Sequence, residues 1–292
     1  MKEVIGIVGI GVMGSAMSGH LMDAGFDVVG YDIDAEKTNR FGSRGGQVAE
    51  SAAEVASRSS IILFSLPSVA ALEEATKSVA GADHEDLIVV EMGTLPLDAK
   101  NAAQDRLADA GVEMMDVPVS GTGLQAADAT LVVFASGSET AFERTRGVFD
   151  VIGRSTHYLG DFGNGSIMKY IANLLVSIHN LATAEAHTLG IAAGLDPAQV
   201  QEVMSDGVGS SKIFDIRGPM MVRDEYDPPA ARLDIILKDA RIIREYARAV
   251  GAPTPLLEAS IPFYEQSTNA GLGSLDAAAL CRYLEKTSGL ER

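Results

Sequence analysis

Three glycines in the run Gly9-Ile10-Gly11-Val12-Met13-Gly14 have the spacing that cradles a pyrophosphate. Gly9 permits a tight turn, Gly11 lets the backbone approach the phosphates, and Gly14 lets a helix pack closely on a strand. The start of that helix adds unpaired N–H groups and the positive end of a dipole. Asp32 follows the last glycine by 18 positions, at the end of a second apolar run. A carboxylate there can hydrogen-bond both ribose hydroxyls of an adenosine and would repel a 2′-phosphate. No Lys or Arg follows before Lys37, so the spacing points to NAD rather than NADP. Lys169 and Asn173 form a second candidate pair, four apart near the start of a long helical pattern, so they share one face of it. Two solvated side chains would give the same spacing, and what surrounds the helix decides between the readings.

The elements that must position these residues are legible from periodicity. Residues 4–8 are a short apolar, β-branched run, as a buried parallel strand requires. A helical pattern follows to about residue 24, and residues 26–31 make a second strand. Further strands are predicted at 61–66, 87–91, 112–117 and 130–135, with helices at 98–110 and 139–151. Strands alternating with helices predict an α/β fold with a Rossmann-type doubly wound parallel sheet. Ligands of such sheets sit beyond the carboxyl ends of the strands, and Pro67, Thr94 and Ser120 all follow predicted strand ends. Residues 163–194 predict one long helix, with Ile167, Ile171, Leu174, Ile178 and Leu181 at spacings of 4, 3, 4 and 3. Beyond it helices are predicted at 197–205, 232–250, 256–267 and 276–286, with an unclear stretch at 210–222, a break at 227–229 and a loop at 271–273. The chain is thus expected to divide into a dinucleotide-binding domain, 1–162, and an all-α domain, 163–292, joined by the long helix.

With 292 residues, a net charge of −17 and a sequence pI near 4.6, the chain lacks the basic footprint of a general nucleic-acid binder. The same balance gives no attraction to anionic lipid, so an anionic substrate must be held by a few local donors. No run of 18 uncharged apolar residues predicts a membrane span. The opening MKEVIGIVGIGVMG, broken by four glycines, reads as strand and turn rather than as a signal peptide. Cys281 is the single cysteine, which allows no internal disulfide and fits a reducing cytoplasm. His157, His179 and His187 show no metal spacing, and no metal is expected. Arg217 could meet a substrate carboxylate or a structural one.

Four ordered stretches resemble the β-hydroxyacid dehydrogenases, the group of 3-hydroxyisobutyrate dehydrogenase and tartronate semialdehyde reductase. GIVGIGVMGSAMSGHLMDAGFDVVGYD is similar to the family's dinucleotide fingerprint, and DVPVSGTGLQAADATL to its D-x-P-V-S-G substrate motif. GNGSIMKYIAN is similar to its G-x-G-x-x-x-K-x-x-x-N motif, and LKDARIIREYARAVGAPTPL to the segment whose lysine reaches the cofactor. The resemblance covers nearly the whole chain. It implies an NAD-dependent oxidoreductase that interconverts a small β-hydroxy acid, 3-hydroxyisobutyrate-like, and its semialdehyde.

By that resemblance Lys169 is the general acid/base, and Asn173 orients substrate or lysine. Ser120, Gly121 and Thr122 form the substrate segment, with the carboxylate on Ser120 and Gly121. Leu66, Pro67 and Thr94 line the cofactor beside the glycine turn from Gly9 to Gly14, and Lys238 reaches its nicotinamide end with Asp239 as brace. A positioned base is required, because hydride leaves a carbinol carbon readily only as the hydroxyl proton is removed. An ordinary lysine is protonated at neutral pH; burial, an oxidised nicotinamide and Lys238 would favour its neutral form. The resemblance also implies a homodimer or homotetramer built through the helical domain. Thr122, Gln125 and Ala129 stand where the family usually has glycine, and Glu91 where Asp is usual. Ala172 stands where 6-phosphogluconate dehydrogenases carry histidine, which counts against decarboxylation of a phosphorylated sugar acid. The alternatives are a catalytically silent cofactor-binding module and an imine reductase; Lys169, Asn173 and Ser120 together favour a carbonyl enzyme.

Overall fold

A computed structural model describes residues 3–290 of the chain. The opening was read as strand and turn; Met1 and Lys2 lie outside the described residues, and the strand begins at Val4. Two compact units part between Lys169 and Tyr170.

In the first unit, strands and helices alternate from the start. The order is β1 (Val4–Val8), α1 (Val12–Asp23), β2 (Asp27–Tyr31), α2 (Ala35–Ser43), β3 (Gln47–Val48), α3 (Ala52–Arg58), β4 (Ile61–Phe64), α4 (Val69–Ala80), β5 (Ile88–Glu91), α5 (Leu97–Asp109) and β6 (Glu113–Asp116). The six strands form one parallel sheet in the order β3-β2-β1-β4-β5-β6. Helices cover both faces, so the central strands are apolar on both sides. Ile61 and Leu63 of β4 enter one core, while Ile62 and Phe64 enter the other. Side-chain caps set where several helices begin: Asp34, Ser51 and Ser68 each accept a first-turn backbone N–H.

A second, three-stranded sheet follows, built from β7 (Val119–Ser120), β8 (Leu131–Ala135) and β9 (Gly153–Tyr158), with α6 (Gly123–Ala127) and α7 (Glu139–Ile152) between them. The strand predicted at 130–135 is β8, but it belongs to this sheet and not to the parallel one, and it pairs antiparallel with β7. Helix α8 (Asn164–Ala192) has its first turns in the first unit and the remainder in the second.

The second unit is helical: α9 (Pro197–Asp206), α10 (Lys212–Arg223), α11 (Leu233–Ala249), α12 (Pro255–Ser267) and α13 (Leu280–Thr287). The stretch left unclear at 210–222 is α10, started by Ser211 as cap. The predicted loop at 271–273 overlaps a π-helical turn, Thr268–Leu272, and the helix predicted from 276 opens with a 3₁₀ turn, Ala277–Ala279. A buried polar centre fixes the packing. Asn180 donates to the Tyr264 hydroxyl at 3.1 Å and to the Ala277 carbonyl at 2.9 Å, and Tyr264 donates to the Ser177 carbonyl at 2.8 Å. Burial pushes the Tyr264 hydroxyl up to about 12 against the Arg217 charge, so it remains a neutral donor. Arg217 pairs with Asp276 at 3.5 Å, both buried, and the structural role is the one this arrangement gives it. Among the described residues, no helix is long and apolar enough to cross a membrane, and no cluster of His, Cys, Asp and Glu could hold a metal ion.

The glycine missing at Ala129 has a geometric meaning. Helix α6 ends with Thr130 N–H donating to the Gln125 carbonyl at 2.8 Å and Ala129 N–H to the Ala126 carbonyl at 3.3 Å. This is a Schellman turn, whose residue after the cap takes the left-handed region and is usually glycine. Ala129 occupies it at φ +51°. Ala129→Gly should therefore stabilise the protein by about 1 kcal/mol. A urea melt checks this, and an unchanged or lowered midpoint would show that the turn carries no strain.

Candidate active site

The glycines of the first turn are required for two different reasons. A Cβ on Gly9 would lie 2.3 Å from the Ser65 carbonyl oxygen, and one on Gly14 would lie 2.0 Å from the Gly9 carbonyl oxygen. Folding alone demands those two. A Cβ on Gly11 would meet nothing within 4 Å, so packing does not demand the third. Gly11 caps α1 without a side-chain acceptor, which leaves first-turn N–H groups directed at the open space beside it. An anionic group fits that cradle. Val12 and Ile33 stand exposed beside the turn and beside Asp32, at 75% and 86% of their surface.

Asp32 lies at the end of β2, as its spacing required. Its Oδ2 accepts the Ile10 N–H at 2.7 Å, and its Oδ1 accepts the Asp34 N–H at 2.9 Å. The expectation that no cation stands nearby is corrected here. Lys37 reaches Asp32 at 3.5 Å and Asp34 at 3.6 Å, because α2 brings it back over the strand end. Asp32 and Asp34 thus share one ammonium.

Leu66, Pro67 and Thr94 occupy the loops after β4 and β5, and Ser120 closes β7. Gly121 has φ +145°, and a Cβ there would come within 2.7 Å of Leu131 and 3.0 Å of Gln125. Thr122 and Gln125, two departures from the family pattern, answer each other. Thr122 caps α6, its hydroxyl accepting the Leu124 N–H at 3.3 Å, while Gln125 Oε1 accepts the Thr122 N–H at 2.8 Å and its hydroxyl at 2.6 Å. This capping box engages both donors of Thr122 within the turn. His20 of α1 holds the other end of α6, its Nε2 lying 3.0 and 2.9 Å from the Ala126 and Ala127 carbonyls. Both partners only accept, so this nitrogen carries the proton.

Helix α8 begins at a site that sequence reasoning missed. Its cap, Gly163, has no side chain to satisfy the first N–H groups, so other segments supply the acceptors. Ser136 Oγ takes the Gly165 N–H at 2.9 Å, and Asp116 Oδ2 takes the Ser166 N–H at 2.7 Å. Ser166 Oγ donates to Asp116 Oδ1 at 2.8 Å. The approach is so close that a Cβ on Gly165 would lie 2.5 Å from the Phe134 carbonyl oxygen. Behind Asp116 stands Lys100, wholly buried, whose ammonium donates to the Gly93 carbonyl and Asp116 Oδ1 at 2.8 Å and pairs with Glu91 Oε2 at 2.5 Å. Glu91 Oε1 accepts the Gly93 N–H at 2.8 Å. Burial pushes the Glu91 carboxyl up, opposed by Lys100. Burial also disfavours the Lys100 charge, but Glu91 and Asp116 outweigh it and hold the ammonium above the ordinary lysine range. The Asp of D-x-P-V-S-G was the one available signal, and its partners lie 16 and 50 residues away in sequence.

Lys169 is buried one turn beyond Ser166. Asn173 is buried too, and its Nδ2 donates to Asp239 Oδ2 at 2.8 Å. Asp239 in turn pairs with Lys238 at 3.1 Å. The second unit thus brings Asn173, Asp239 and Lys238 together.

Comparison with known proteins gives the family. The sequence model of the NAD binding domain of 6-phosphogluconate dehydrogenase matches residues 4–160. That of the NAD-binding region of NADP-dependent 3-hydroxyisobutyrate dehydrogenase matches residues 163–284. The chain is 32% identical to L-threonate dehydrogenase of Cupriavidus necator, over 97% of this chain and 96% of the relative. It is 27% identical to 2-(hydroxymethyl)glutarate dehydrogenase of Eubacterium barkeri, over 98% and 96%. The crystal structure of 3-hydroxyisobutyrate dehydrogenase from Salmonella typhimurium superposes with a TM-score of 0.88 at 28% identity, covering 97% of this chain and all of the other. The chain belongs to the β-hydroxyacid dehydrogenase family, enzymes that use a nicotinamide cofactor to interconvert hydroxy acids and their carbonyl counterparts.

Proposed function

We propose that the protein oxidises a small β-hydroxy acid with NAD, or reduces the corresponding semialdehyde, and that Lys169 is the acid/base. The carrying observation is a buried lysine at the head of α8, one turn before a buried asparagine that Asp239 holds in place. The acids in the relatives' names support the substrate class. 3-Hydroxyisobutyrate, L-threonate and 2-(hydroxymethyl)glutarate differ in side chain, but each carries a hydroxyl on the carbon β to a carboxylate. We take the 3-hydroxyisobutyrate-like members as the preferred substrates. The functional division at 162/163 belongs to the same proposal, supported by family matches that end at 160 and resume at 163.

Gly11 with the N–H groups of Val12 and Met13 would hold the pyrophosphate, Asp32 the adenosine ribose, and Leu66, Pro67 and Thr94 the ring side. The bound nicotinamide supplies a hydride acceptor. Ser120 and the Gly121 N–H hold the substrate carboxylate without net positive charge, as backbone donors after a strand can. Lys169 Nζ takes the hydroxyl proton during oxidation and returns it during reduction. Asn173 orients the lysine or the substrate oxygen, and Lys238, paired with Asp239, would hold the nicotinamide end.

Three outcomes test this reading. In a panel of 3-hydroxyisobutyrate, L-threonate and 2-(hydroxymethyl)glutarate, Lys169→Ala should lose about 10²–10⁴-fold in kcat and keep its affinity for NADH. The wild-type oxidation rate should rise with pH through one ionisation that the variant lacks; near-normal kcat with the same profile would move the base elsewhere. Next, kcat/KM with NAD should exceed that with NADP by about 100-fold. Asp32→Ser should narrow the gap, and equal wild-type values would contradict the assignment of Asp32. Lastly, the chain should assemble as a homodimer or homotetramer. Ile171, Leu175 and Leu189 of α8 are exposed, and α9 buries none of its residues. Sedimentation giving a stable 30.6 kDa species at micromolar concentration would exclude assembly.

A further inference from the structure

Lys100 lies in none of the motifs that carry the family resemblance, yet its ammonium joins two separate segments, the end of β5 with its following loop and the end of β6. Gly93 belongs to the loop that holds Thr94, Asp116 opens the D-x-P-V-S-G run, and Glu91 ends β5. Through Asp116 the same network reaches the first turn of α8. We infer that Lys100, Asp116 and Ser166 are positioning residues for the reaction: together they hold the first turn of α8, and with it Lys169, at a fixed place relative to the Gly93–Thr94 loop. The inference rests on the reading of Lys169 as the acid/base.

Stability alone does not account for the cluster. A buried ion pair is commonly matched or bettered by apolar side chains of equal volume. What an apolar cluster cannot do is specify direction. An ammonium that donates to Gly93 O and Asp116 Oδ1 while paired with Glu91 restricts how its partners can be placed. Asp116 then has one oxygen on the Ser166 N–H, and its other oxygen is shared by Lys100 and the Ser166 hydroxyl. A carboxylate gripping both the N–H and the hydroxyl of one residue fixes the rotation and the rise of that helical turn. Lys169 sits three residues on, about 4.5 Å along the axis, so an unwound first turn would displace it directly. Catalysis is sensitive on that scale, since a misplacement of about 1 Å can cost about 10²-fold in rate.

The test uses the full-length protein and three variants. Ser166→Ala deletes one hydrogen bond and no charge. Asp116→Asn keeps the shape and removes the charge. Lys100→Met leaves two buried carboxylates unmatched and is the variant at risk of not folding, so Ser166→Ala carries the decision. Steady-state kinetics would use the best substrate of the panel above, with and without deuterium on its carbinol carbon. Ser166→Ala should lower kcat by about 10-fold with KM and NADH affinity within about two-fold, and should raise the deuterium isotope effect. Asp116→Asn should lose more. Trace acetylation by acetic anhydride, followed by peptide mass spectrometry, reads Lys169 without any substrate. Its reactivity relative to the exposed Lys77 should change at least about three-fold in Ser166→Ala. A loss of kcat with an unchanged isotope effect and unchanged Lys169 labelling would mean fewer active molecules and would overturn the inference, as would wild-type values throughout. If Lys169→Ala keeps its activity, the reading of Lys169 fails by itself, and the labelling then decides whether the network holds the turn.

Discussion

An ammonium group with no access to water must have every proton matched, and in this protein that requirement governs the carboxyl end of the sheet. Removing one partner of a buried ion pair typically costs about 3–5 kcal/mol, because a bare charge stays behind. Lys100 therefore constrains its neighbours severely. Gly93 is tightly packed, since a Cβ there would lie 2.7 Å from Glu91 Oε1 and 3.1 Å from the Leu66 carbonyl oxygen. Glu91 must reach back from the end of β5, and Asp116 must sit at the end of β6, the next strand in the sheet. The parallel pairing of β5 and β6 sets Glu91 directly opposite Asp116, so two like charges meet unless a cation stands between them. Helix α5 supplies it. The glycine-rich start of α8 can then press onto strand-end carbonyls that a side chain would repel.

The same logic separates the glycines of the cofactor turn. Gly9 and Gly14 are explained by backbone contacts inside the chain, whereas an added carbon at Gly11 would meet nothing within 4 Å. A motif that looks uniform in sequence thus mixes two positions that packing dictates with one that it leaves open. The distinction can be made at any glycine by asking what an added carbon would strike. At Gly121 it would strike Leu131 and Gln125, so that glycine serves the fold whatever else it does.

Much of the first unit was legible in the sequence, since a parallel sheet covered on both faces writes apolar runs at β1, β4 and β5 that no surface element imitates. Three elements between Asp32 and Ser60 went unread. Helix α2 is short and mostly polar, α3 has only seven residues, and β3 has two, both exposed. Strand β9 was missed because GRSTHY is half-exposed along its length and shows no apolar alternation. In the candidate site, the glycine turn, Asp32, Ser120, Lys169 and Asn173 could be named in advance because their spacing is local. Lys37 was misjudged because a helix folds it back onto Asp32. Of the Lys100–Asp116–Ser166 network only Asp116 stood in a motif, and its partners lie 16 and 50 residues away along the chain. The departures at Thr122, Gln125 and Ala129 looked like separate losses of glycine, but they belong to one capped turn with its own internal bonds.

The two margins of the parallel sheet, β3 and β6, bear on self-association during folding. An open strand edge is a template for pairing with another chain. Here β3 offers only two residues on one side. On the other side the end of β6 is closed, because Asp116 exchanges both backbone hydrogen bonds with Ser136, at 3.0 and 2.9 Å. A slow-forming sheet of parallel strands is thereby left with little edge on which a misfolded copy could grow.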